Sequence, residues 1–240
     1  MLLLVLVGQG GGSEDPPYGG GGSQPKTKIT FSFCAELNST QKTNIKNAVQ
    51  DAADLNCATY VVNMALANKP SLAIGICVDE TLGNGTYNAA TKSIVFSTDF
   101  ASTHVEVIRH ELFHAYQDNI AYSGGIGDYS LGEPGFSNIE FEQALFHDIM
   151  MLHGSSATAL NHADPAVKLD YQAWINTLTS NGTEYPDFSA NWSTFETKYF
   201  EFLEEFKNTS PYYNAPVIGT LEPEALKRVF NGGLQPDCEN

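Results

Sequence analysis

Residues 103 to 120, Thr-His-Val-Glu-Val-Ile-Arg-His-Glu-Leu-Phe-His-Ala-Tyr-Gln-Asp-Asn-Ile, constrain this chain more than any other stretch. They set His110 and His114 four apart, with Glu111 between them, in the order H-E-x-x-H. Positions four apart share one face of an α-helix, so the two imidazoles can offer nitrogens to a single tetrahedral Zn2+. Glu111 then lies beside that face, where a carboxylate can take a proton from an attacking water and return it to a leaving amine. In random order, the six His and sixteen Glu of 240 residues would produce this pattern roughly 0.01 times per chain, so it reads as chemistry rather than chance. The helix that the chemistry requires is also written locally. Thr103 followed by Glu106 reads as a capping box, and Val105, Ile108, Leu112 and Ala115 recur at helical spacing. The plainer alternative is a solvated His–Glu pair on a surface helix.

A chain of this length, 42% hydrophobic, can bury one sizeable core, and residues 27–240 are expected to form one domain. The balance of 12 basic against 28 acidic residues gives a net charge of −16, which argues against the basic face that nucleic acid binding needs. Acidity of this kind serves solubility. Residues 1–26 read as an export signal remnant followed by a flexible glycine-rich tether. Met1 to Val7 is an apolar run too short to span a bilayer, and Gly10–Gly12 and Gly19–Gly22 follow it. Leu6-Val7-Gly8-Gln9 resembles the lipobox of bacterial lipoproteins, except that Gln9 stands where the acylated Cys would be. The expected location is therefore outside the cytoplasm: periplasmic, cell-surface or extracellular. Cys34, Cys57, Cys77 and Cys238 allow two disulfides in any of three pairings, or buried free thiols.

Alternation predicts strands at 28–33, 72–78 and 92–97, and helical periodicity predicts helices at 40–55 and 60–67. Residues 121–137, rich in glycine, read as a long loop, which usually has a task. Helices follow at 138–151, 164–179, 192–207 and 222–231, with Asp164-Pro165 and Glu222-Pro223 as start signals. The aromatic run Trp192, Phe195, Tyr199, Phe200, Phe202 and Phe206 reads as core packing, with a ligand cage as the sharper alternative.

A catalytic zinc keeps three protein ligands and one open position, so the two histidines need a third partner. A helix carrying H-E-x-x-H, then a loop, then a second helix supplying Glu, resembles the gluzincin branch of zinc metallopeptidases, to which thermolysin belongs. The second-helix candidates are Glu140 and Glu142. Glu140 is preferred because Ala144 and His147 on its face leave a small, polar approach, whereas Glu142 lies among Leu145, Phe146 and Ile149. Gln143 and Ala144 stand where compact gluzincins often carry a small residue and Asp, a departure from that pattern. The metzincin arrangement needs a third His at the position of Ile120 and is excluded. Glu133 in the loop is a further possible ligand; His104, His147, His153 and His162 read as surface or supporting groups, and Asp148 as a carboxylate that orients a ligand ring.

The resemblance implies an α+β, zincin-like fold, with a small mixed sheet and helices in an N-terminal lobe, the active-site helix, and a mainly helical C-terminal lobe. It implies a zinc-dependent peptidase in which His110, His114 and Glu140 hold Zn2+ and Glu111 is the general base. Its substrate would be a peptide or protein lying along a sheet-edge strand formed by residues 92–97 or 85–90. Tyr116, Tyr122, Tyr129 and His147 are candidates to stabilise the tetrahedral intermediate. The competing expectation is a non-proteolytic surface or binding module on the same scaffold with a structural zinc.

Overall fold

The computed structural model describes residues 28–55, 57–79, 85–97, 105–151, 157–210 and 213–231. The signal-like segment and tether, Thr103, His104, His153 and Cys238 lie outside the described residues. Among those described, the fold is mixed α+β, with one small four-stranded sheet and seven α-helices. No helix among them is long and apolar enough to cross a membrane. Two compact units emerge, and the boundary falls inside one helix, after Leu112.

The first unit contains β1 (Phe31–Phe33), α1 (Ser39–Leu55), α2 (Cys57–Ala67), β2 (Ile74–Val78), β3 (Gly85–Asn88), β4 (Ser93–Phe96) and the first two turns of α3 (Val105–Tyr116). Helix α1 starts where Asn38 and Gln41 cap each other, each side-chain oxygen accepting the other's backbone N–H at 2.9 Å. Its Ile45, Ala48 and Val49 are buried, as are Ala58, Val62 and Leu66 of α2, so the two helices supply one apolar layer. They also form the crossover that lets β1 and β2 pair in parallel, a connection that no tight turn can make. Strand β4 pairs parallel to β2 and antiparallel to β3, giving the order β1-β2-β4-β3. A disulfide joins Cys34, just past β1, to Cys77 in β2. Cys57 is also disulfide-bonded.

The expected strands survive in shortened form, and the edge question has an answer. β4 is interior, so of the two candidate segments 85–88 is the outer strand. Gly85 permits the close approach of this strand to α3.

The second unit holds the rest of α3, a π-turn (Gln117–Ala121), α4 (Phe136–Met150), α5 (Pro165–Leu178), α6 (Phe188–Thr209) and α7 (Glu224–Val229). Helix α4 is buried almost all round and forms the middle of this unit. Its Phe141 meets Tyr199 and Phe206 of α6 at ring-centroid distances of 5.3 and 5.4 Å, and its Phe146 stacks on Phe113 at 4.2 Å. The aromatic run therefore packs as core at Tyr199, Phe202 and Phe206, while Trp192, Phe195 and Phe200 are half-buried. Helix α6 starts four residues earlier than its periodicity predicts, because Asp187 accepts the N–H of Ala190 at 2.9 Å and sets the cap upstream. The metal-motif helix ends as α-helix at Tyr116, and the Tyr122 N–H then bonds back to the Gln117 carbonyl, the wider π spacing.

A Cβ at Gly85 would stand 2.8 Å from Val107 Cγ1 and 3.2 Å from Phe96 Cδ1. Gly85→Val is expected to cost about 1–3 kcal/mol through overpacking, read as a lower urea midpoint. Gly124→Ala, where a Cβ meets nothing within 4 Å, should stay within about 0.5 kcal/mol of the parent.

Candidate metal centre

One turn of α3 separates His110, half-buried, from His114, which is 5% exposed, so the continuous helix alone sets their two rings on one face. Phe113 stacking on Phe146 fixes the end of α3 against α4, and α4 delivers Glu140. Ligating atoms of His110, His114 and Glu140 all lie within 4.8 Å of one another. His114 Nε2 faces Glu140 Oε1 at 3.6 Å. The other ring nitrogen, Nδ1, is 2.7 Å from Gln117 Oε1. Two imidazoles and one carboxylate are a donor set of the kind that suits Zn2+.

Glu111 is 2% exposed and neighbours His110 on α3. A Cβ at Gly85 would lie 3.5 Å from its Cγ, so the carboxylate side chain runs beneath the outer strand β3. Glu142 goes elsewhere. Fully buried, it accepts from Gln117 Nε2 at 2.7 Å and Tyr122 Oη at 2.9 Å on one oxygen, and from the N–H groups of Ala225 and Leu226 at 2.7 and 3.0 Å on the other. Four donors account for its lone pairs, which is why it does not join the histidines.

Other residues singled out in the sequence have different occupations. Asp148 orients no ligand ring: it accepts from Thr158 N and Oγ1, Ala159 N and Tyr171 Oη, and so ties α4 to the segment before α5. Tyr122 donates its hydroxyl to Glu142 and, at 3.1 Å, the Glu222 carbonyl, which removes it from the donors available to a reacting oxygen. Tyr116 is buried, which pushes its hydroxyl up to about 12. Tyr129 and His147 are half-buried, while Glu133 and His162 are exposed and outside the metal-ligating group. Gln117 is the residue that the motif reading passes over. Its only signal in the sequence is its spacing, three after His114.

Burial pushes the Glu142 carboxyl from 4.5 up to about 7, against the pull of its four donors. The unfolded chain releases this proton near 4.5, whereas the folded protein keeps it to about 7, so folding becomes less favourable as pH rises through that window. Asp148 is raised by burial as well and acts with the same sign. The metal-free protein is therefore expected to melt at a higher temperature near pH 5 than near pH 8. Glu142→Gln, which has no proton to lose, should narrow that difference in thermal scans.

Comparison of the chain with models of protein families, with curated proteins and with solved structures finds no match in any of the three.

Proposed function

We propose that this protein is an exported, zinc-dependent metallopeptidase of the compact gluzincin type, with a zincin-like arrangement of sheet and helices. The observation that carries the reading is the convergence of His110, His114 and Glu140 ligand atoms within 4.8 Å, with Glu111 next in the helix. Those three residues would hold the metal. When bound, zinc supplies the Lewis acidity that makes water acidic enough to lose a proton near neutral pH.

The side chains divide the remaining work. Glu111 takes the proton from the water that attacks the amide carbon, then returns it to the departing nitrogen as the C–N bond breaks. Its burial keeps bulk water from competing for that proton. Strand β3, last in the order of the sheet, would offer its main-chain groups to an extended peptide lying alongside Glu111. The disulfide between Cys34 and Cys77 supports export, because such bonds persist in oxidising compartments.

The test is metal analysis together with a peptide-library assay on the parent protein and two variants. Glu111→Gln should keep stoichiometric zinc and lose about 10²–10⁴-fold in kcat/KM. His114→Ala should lose the metal as well. If the parent and Glu111→Gln cleave equally, or if both hold zinc and neither cleaves, the peptidase reading falls and the centre is a structural or binding one.

A further inference from the structure

We infer that Gln117 is a positioning residue that holds the His114 ring in its Nδ1–H tautomer, so that the Nε2 lone pair is presented to the three-residue group. The inference takes its purpose from the metal reading above; its geometry is independent of it.

The hydrogen-bond bookkeeping around one amide decides the matter. Gln117 is fully buried and its Nε2 lies 3.0 Å from the Ile139 carbonyl and 2.7 Å from Glu142 Oε2. A carbonyl oxygen accepts and never donates. Turning the amide over would set Oε1 against Ile139 O, oxygen against oxygen in a buried place, whatever the state of Glu142. The amide nitrogen is therefore fixed on that side, and Oε1 faces His114 Nδ1 at 2.7 Å. Because Oε1 can only accept, Nδ1 carries the hydrogen. In the neutral ring Nε2 is then the bare nitrogen, and it is the atom 3.6 Å from Glu140 Oε1.

Free histidine in water favours the opposite tautomer, with hydrogen on Nε2. A ring left to itself would have to exchange that proton before offering the nitrogen to a cation. Gln117 removes this requirement, and Glu142 keeps Gln117 in place. The Glu142 carboxylate is itself held by Tyr122 and by the backbone N–H groups of Ala225 and Leu226, so the chain of bonds runs from α7 through α4 to the imidazole. Groups that orient a ligand ring in this way typically alter metal affinity 10- to 100-fold.

The test uses metal-free protein with 15N-labelled histidine and long-range 1H–15N NMR at a pH where the rings are neutral, with His114 assigned by its absence in His114→Asn. In the parent, Nδ1 of His114 should show the shift of a protonated nitrogen and Nε2 that of a bare one. In Gln117→Leu the ring should revert toward Nε2–H, and zinc affinity, measured by competition with a chelating dye, should drop about 10- to 100-fold. A parent protein with hydrogen on Nε2 of His114, or a Gln117→Leu variant that folds and keeps Nδ1–H, overturns the inference. A parent that shows Nδ1–H yet binds no zinc supports the role of Gln117 and defeats the metal reading instead.

Discussion

Nε2 of His114 and Oε1 of Glu140 stand 3.6 Å apart where each side chain is only 7% exposed. With the ring hydrogen on Nδ1, as inferred from Gln117, Nε2 is an acceptor like Oε1, and His110 brings a third ligand-type atom within 4.8 Å. A buried carboxylate this close to imidazole nitrogen gains from positive charge held between them. The packing of the second unit acts to keep this convergence. Phe113 on Phe146 clamps the helix of the histidines to the helix of the glutamate, and α6 buries the far side of α4 through Phe141.

Much of this was legible in the sequence, and for a definite reason. That residues 105–116 are helical, and that Glu140 and Glu142 fall on different faces of α4, follow from helical periodicity, which is local, and local geometry alone puts His110 and His114 on one face. The same holds for α4, α5 and most of α6, whose boundaries shift by a few residues where a cap such as Asp187 intervenes. What could not be read was which donors would reach a buried carboxylate. Glu142 lies on a more buried face than Glu140, a fact the periodicity does convey. Its partners Ala225 and Leu226, however, are more than eighty residues away in sequence. Gln117 escaped for a related reason: the importance of an amide three residues past a ligand appears only once Ile139 and Glu142 are known to face it.

The sheet illustrates the limit from the other side. Alternation gave β2 and β4 but left open which neighbouring segment forms the edge, since a four-residue strand such as Gly85–Asn88 carries too few positions for a period to register. Strand pairing settles it, with β3 lying beyond β4, and at Gly85 the space that a Cβ would need is taken by Val107, Phe96 and Glu111. The smallest residue in the strand is thus what allows the strand and the proposed base to be neighbours.

Helix α4 carries three buried carboxylates, Glu140, Glu142 and Asp148, and their surroundings separate their roles more sharply than burial does. Asp148 and Glu142 each receive two backbone N–H groups and a tyrosine hydroxyl, in both cases from outside their own helix, and so each fastens a distant segment to α4. Removing either would leave orphaned donors in an apolar interior, which is a structural penalty. Glu140 instead meets a ligand-type nitrogen. A buried carboxylate surrounded by donors has little left to offer a metal, whereas one that faces imidazole nitrogen belongs to a group of ligand-type atoms. On this helix the distinction falls between residues two apart, which is why the chemistry of the site turns on the partners each carboxylate meets and not on the depth at which it lies.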